Sequence, residues 1–240
     1  MEYKLYNNEE LIKNNLIVSH YAGSRAYGTS TPESDIDIRG IFFSNPINTL
    51  SPFFKVNEII ENKETDIVFY EYQHFIDLLV GCNPNILESV YISEEDIIFK
   101  TPEYDILRGN RNMFLSSKIA HTTTGYAHAQ FFKIKENEYR NKDPKMCKHA
   151  MHLVRLMKMG QEALRDGQIN IKRPDAEELL EIRKGKISYE DLSIYVKDMD
   201  REIREVLYNK TYLPHHPDKY KIAQLIIDLR QNFWKRNNLI

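Results

Sequence analysis

Residues 19–41 hold two clusters whose side chains could act on phosphates. The first is Gly23-Ser24, directly after an apolar run. A glycine there lets backbone N–H groups come close to a ligand. If a helical turn opens at Ser24, its free N–H groups and the serine hydroxyl make a seat for a terminal phosphate. The second cluster is Asp35-Ile36-Asp37. On a strand, residues i and i+2 face the same way, so both carboxylates would project together. Their mutual repulsion is relieved by a divalent cation. All-oxygen donors favour Mg²⁺, with Mn²⁺ as a substitute, the remaining shell coming from water and nucleotide phosphates. Two such ions can activate an attacking oxygen and stabilise departing pyrophosphate. Gly-Ser is usually only a turn and Asp-x-Asp occurs on many surfaces; their joint occurrence with compatible spacing is what carries the reading.

These clusters need a strand–turn–strand frame, and the pattern supplies one. A polar helix over Asn8–Asn15 precedes a β-prone run, Leu16–Tyr21. Residues 25–28 suffice for one turn, and 29–34 (TSTPES) have turn chemistry. Residues 35–43 (DIDIRGIFF) alternate charged and apolar positions, predicting a strand that carries both aspartates. Further strands are predicted over 56–61 and 65–71. From residue 72 the period lengthens to three or four. Tyr72–Val80 reads as a helix, and Asn83-Pro84-Asn85 as the start of another. Beyond residue 111 helices are predicted near 113–137, 144–167, 175–184, 188–208 and 217–236. The expected fold class is α+β, with a small mixed-sheet domain over 1–110 and a helical domain over 111–240.

A second constellation lies in the predicted helix 144–167. Lys148, His152 and Arg155 stand at i, i+4 and i+7, one continuous stripe. Such a stripe could hold phosphates opposite the carboxylates, arginine being suited to bidentate contact; the plainer reading is a solvated basic face. Arg25 and Tyr27 lie beside the phosphate seat. Arg39 shares the face of Asp37, where an aspartate or a ligand is its natural partner. Tyr126 reads equally as a base-stacking ring or a half-buried helix tyrosine, and His215-His216 as an exposed turn between prolines.

Charge is unevenly distributed. Residues 1–100 hold 7 Lys+Arg against 16 Asp+Glu, and residues 101–240 hold 26 against 19. An acidic half joined to a basic half suits an enzyme with cations on one side and phosphates on the other, although lysines also coat ordinary helices. No apolar run is long enough to span a bilayer, and the polar, acidic start is unlike a secretory signal. Two cysteines, Cys82 and Cys147, form no C-x-x-C pair, so a reduced, cytoplasmic setting is expected.

The segment YAGSRAYGTSTPESDIDIRG (21–40) resembles the nucleotidyltransferases of the DNA polymerase β superfamily. Within that superfamily the chain resembles the RlaP group, associated with RNA repair, through NPNILE (83–88), GYA (125–127), KHAMHLVR (148–155) and RPD (173–175) as well. The resemblance implies that Ser24 contacts a triphosphate and that Asp35 and Asp37 bind metal. It also implies a third carboxylate on a later strand, which in many relatives deprotonates the incoming hydroxyl. Asp66 is the candidate, both for that role and as a third metal ligand. Glu71 is the rival, with opposite strand parity, an objection that weakens if Glu71 opens the next helix. The expected reaction moves an NMP, AMP from ATP, to a hydroxyl acceptor such as an RNA end. Other acceptors, a protein side chain or a small molecule, stay open, as does a non-catalytic nucleotide or RNA sensor.

Overall fold

A computed structural model describes residues 5–62 and 66–240, with the backbone alone for 60–62. Helix α1 (Asn8–Asn15) starts at a capping box: the Asn7 side chain accepts the Glu10 N–H at 2.9 Å, and Glu10 accepts the Asn7 N–H at 3.0 Å. Strand β1 (Leu16–Tyr21) follows, with its four inner residues buried. A short helix, α2 (Gly23–Tyr27), leads through the turn to β2 (Ile38–Phe42) and then α3 (Pro46–Leu50). Next come β3 (Glu58–Asn62), β4 (Ile67–Glu71), α4 (Tyr72–Val80), α5 (Pro84–Tyr91), β5 (Ile97–Lys100) and α6 (Pro102–Gly109). The five strands make one sheet in the order β3-β4-β2-β1-β5. β2 and β4 run parallel and the other neighbours antiparallel, so the sheet is mixed.

The helical part contains α7 (Ile119–Phe131), α8 (Glu136–Arg140), α9 (Pro144–Asp166), α10 (Ala176–Arg183) and α11 (Tyr189–Arg201). A π-helical stretch over Glu202–Leu207 leads into the single turn α12 (Tyr208–Lys210), and α13 (Lys219–Arg236) follows. The fold is α+β, as expected. Asp143 caps α9 by accepting the N–H groups of Lys145 and Met146, and Gly167 closes it in the left-handed conformation at φ +62°. α13 returns to the sheet. Phe233 packs on Phe43 with ring centroids 4.8 Å apart, and Trp234 Nε1 donates to the Ser44 carbonyl at 2.8 Å. One connected core therefore joins Ile17, Ile41 and Phe75 of the sheet side to Leu153, Met157 and Phe233 of the helices. The other face of the sheet is covered by α1 through Leu11, packed with Phe42, Ile59 and Phe69. No helix among the described residues is long and apolar enough to cross a membrane.

The structure corrects several boundaries. The strand predicted over 35–43 begins at Ile38, so both aspartates precede it. The reason is pairing: β1 ends at Tyr21 opposite Ile38, and beyond that point the chain leaves for α2. The Asp37 carbonyl still accepts the Ala22 N–H at 2.9 Å, the last contact before the strands part. The helix expected over 113–137 is shortened to α7. A 3₁₀ turn occupies Arg111–Phe114, and the Ser117 N–H goes to the Pro214 carbonyl instead of a helical partner. Thr65, the predicted first residue of the fourth strand, lies outside the described residues. Strand β5 and helices α3, α6 and α8 are additions to the pattern-based reading.

Candidate active site

Just past the end of β1, at Ala22-Gly23, the chain turns sharply into α2. Gly23 has φ +59°, and a Cβ built on it would lie 1.8 Å from Oδ2 of Asp37. No side chain fits there. The glycine is required both by its left-handed backbone and by the carboxylate lying against it. Phosphate seat and aspartate pair, separated by a turn in the sequence, are thus in contact. Ala22, the N-cap of α2, offers no side chain to the N–H groups of its first turn.

These groups open into a cleft of about 330 Å³ between one end of β1, β2 and β4 and the helices. Its acidic wall is Asp35, Asp37 and Asp66, with Gly23, Ser24 and Tyr27 beside them. Lys148 and His152 from α9 and Arg183 from α10 line it too. Eight of the sequence-selected residues are therefore brought together: Gly23, Ser24, Tyr27, Asp35, Asp37, Asp66, Lys148 and His152.

The electrostatics show uncompensated acid. Burial, then the neighbouring Asp66 carboxylate, raise the pKa of Asp37; Arg39 and Lys148 pull it down, and Asp35 adds a smaller upward push. Asp35 and Asp37 have no ion-pair partner among the described residues. Asp66 does: its Oδ2 accepts from Arg39 Nη2 at 2.6 Å, and the same guanidinium donates to its carbonyl. No three acidic, histidine or cysteine side chains among the described residues converge as a ready-made metal cage. The donor chemistry nevertheless fits a hard divalent cation, since Asp35 and Asp37 offer oxygen ligands that no ion pair among the described residues occupies.

The rival third carboxylate is elsewhere. Glu71 is buried as the N-cap of α4, accepting from Gln73 N–H at 2.6 Å and Arg230 Nη2 at 2.7 Å. Asp66 lines the cleft and Glu71 does not.

Two sequence-selected residues are placed away from the cleft. Arg25 is exposed and stacks over the Tyr21 ring at 3.6 Å, a cation–π contact. Arg155 is only 5% exposed. Its Nη1 donates to Glu88 Oε1 at 2.7 Å, and its guanidinium lies 3.8 Å from the Tyr27 ring centroid. The stripe from Lys148 is real, but two turns along α9 Arg155 is covered by Glu88 of α5 and Tyr27 of α2, both of which line the cleft. Tyr27 completes this cluster by donating to Glu88 Oε2 at 2.8 Å. Burial chiefly pushes its hydroxyl far above the ordinary tyrosine range, so it stays a neutral donor.

Both histidines at the cleft are neutral. Burial, with Arg155 and Lys148 nearby, holds His152 down to about 3. Burial also holds His20 down to about 4; its Nδ1 lies 2.8 Å from the Tyr21 carbonyl, which fixes the proton there and leaves Nε2 an acceptor without a partner among the described residues. His20, Tyr70, Asn85, Glu88, Met151 and Arg183 are lining residues that motif reading missed. Glu88 had a signal in NPNILE. Arg183 had none, since only the fold brings it within 3.2 Å of the Thr29 carbonyl.

No curated protein matches the chain. The description of RlaP, the RNA repair pathway DNA polymerase beta family, matches residues 3–225. This match supports a nucleotidyltransferase-like role in RNA repair and reaches from the sheet through α9 and α10 into α13. The chain belongs to the RlaP family.

Proposed function

We propose that the protein transfers a nucleoside monophosphate, AMP from ATP, to a hydroxyl at an RNA end. The observation that carries this is the contact between Asp37 and the Gly23 turn: carboxylate pair and phosphate seat occupy one cleft, with Lys148 and Arg183 across from them. Ser24 and the first N–H groups of α2 orient the triphosphate. Lys148 offsets its charge. Asp35 and Asp37 would hold Mg²⁺, or Mn²⁺ in its place. Such an ion, when bound, supplies charge neutralisation for the phosphates and lowers the pKa of a coordinated hydroxyl.

Asp66 accepts the acceptor hydroxyl's proton as that oxygen forms its bond to the α-phosphorus. The bond to pyrophosphate breaks, and pyrophosphate leaves with the electron pair. Catalysis of this kind rests on alignment and electrostatics more than on covalent participation by the protein. Arg39 must release Asp66 for that role.

A second reading is favoured by that same ion pair: a chain whose third carboxylate stays on Arg39 would bind nucleotide as a sensor without turning it over. Incubation with each α-labelled NTP, Mg²⁺ or Mn²⁺, and RNA separates the two, with Asp35→Ala/Asp37→Ala as control. Label entering RNA only with the intact pair is the expected result, and the labelled nucleotide names the donor. Label in protein or in a small molecule moves the acceptor. Nucleotide binding with no label anywhere leaves the sensor.

A further inference from the structure

Some distance along α9 from the cleft, a shallow depression of about 550 Å³ lies between the end of α7, α8 and the start of α9. Its rim carries Phe132, which is 85% exposed. A phenyl ring so open to water on a polar rim has no packing role. Around it stand Lys133 and Lys145, both exposed and without an ion-pair partner among the described residues. The acids nearby are already engaged: Glu138 with Lys135 at 2.8 Å, and Asp143 with the first N–H groups of α9.

The two lysines come from different elements yet converge. Burial first, then Lys133, Lys145 and Lys148 together, lower the pKa of His149, whose Nδ1 is tied to Gln130 Oε1 at 2.8 Å. Positive charge therefore gathers at one point and is not spread along a solvated face. It also leads somewhere. Lys145, Lys148 and His152 stand at i, i+3 and i+7 on α9, and the last two line the cleft. At 1.5 Å per residue this track is roughly 10 Å long.

Unpaired cations beside an open aromatic ring match single-stranded nucleic acid: lysines follow the phosphates, and a ring stacks on a base that is not already stacked in a duplex. We infer that Phe132, Lys133 and Lys145 form a docking surface for single-stranded RNA, which runs along α9 past Lys148 and delivers its end to the cleft. The inference rests on the proposed RNA acceptor and gives that acceptor a path and a strandedness.

The test is fluorescence anisotropy of a short labelled single-stranded RNA with the full chain over a range of salt, beside a duplex of the same sequence. Lys133→Glu/Lys145→Glu is expected to weaken binding at least tenfold. It should also flatten the salt dependence, by about 0.7 in log–log slope for each phosphate that the protein no longer neutralises. Phe132→Ala should weaken binding about fivefold with the slope unchanged, because stacking releases no counterions. The duplex should bind more weakly and ignore Phe132. Equal affinity in all variants, no binding by the parent chain, or duplex binding with the same dependence on Phe132 overturns the surface. The Asp35→Ala/Asp37→Ala chain keeps the two readings apart. It should bind RNA normally and lose Mg²⁺-dependent NTP binding; if it keeps both, the proposed reaction fails while the docking surface stands.

Discussion

Two kinds of acid sit close together in this molecule. Glu71 and Glu88 are buried, and each has an arginine at 2.7 Å, Arg230 and Arg155. Asp35 and Asp37 are more open, face each other's charge and have no cation of their own among the described residues. The first kind is complete without a ligand and holds elements together. The second is incomplete: burial first, then the neighbouring Asp66 carboxylate and, least, Asp35, raise the pKa of Asp37. The buried pairs hold elements together, whereas of the three aspartates on the cleft wall Asp66 has Arg39 and Asp35 and Asp37 have no ion-pair partner among the described residues.

The contrast can be broken at either end. The largest effect is expected from Asp35→Ala/Asp37→Ala, which should lower nucleotidyl transfer by about 10³-fold or more, read from label incorporation. The same change should leave the thermal midpoint equal or higher, since the charge of Asp37 is disfavoured in the folded state.

Glu88→Ala should do the opposite. Removing one partner strands Arg155 without a counter-charge and Tyr27 without an acceptor, a loss of about 3–5 kcal/mol in denaturant unfolding. Activity of the fraction that remains folded should fall far less than in the aspartate variant.

A third, smaller effect is the pH response of His20. In the unfolded chain it takes a proton near 6.5, and in the folded chain only near 4, so the unfolded state binds more protons between those values. Stability should be complete above 6.5 and fall on acidification through that window, by about 3 kcal/mol at its end. His152, held down to about 3, adds to the loss through the same window and extends it to lower pH. Melts of the parent and His20→Leu across this range should show the shallower slope in the variant; parallel slopes would remove His20 from the explanation. The smallest effect belongs to Arg25→Ala. Its cation–π partner is Tyr21 and it does not line the cleft, so NTP affinity should stay within about twofold, as is usual for exposed positions away from a site.

The same contrast explains what is legible in the sequence. Gly23, Ser24, Asp35 and Asp37 belong to one strand–turn–strand passage, where backbone geometry alone brings neighbours together. Asp66 joins them because β4 runs parallel beside β2, a pairing that strand periodicity alone does not give. At Arg155 the pattern misleads, because periodicity gives a residue's angle around a helix but not the depth of cover above it. α5 supplies that cover, and Glu88 is the residue that receives the arginine. The choice between Asp66 and Glu71 turns on Arg230, 159 residues further along the chain from Glu71, which no local pattern connects to it. Arg183 reaches the cleft by the same long-range route.

The return of α13 to the sheet has a consequence for how the protein is made. A ribosome delivers Phe43 and Glu71 long before it delivers Arg230, Phe233 and Trp234. Until then Glu71 has no guanidinium to meet, and the aromatic surface around Phe43 and Tyr72 lacks its cover. A carboxylate is not buried alone. The nascent sheet must therefore keep that corner hydrated and open until α13 emerges, so the frame that carries the cleft is completed only then, by a segment that contributes no described residue to it.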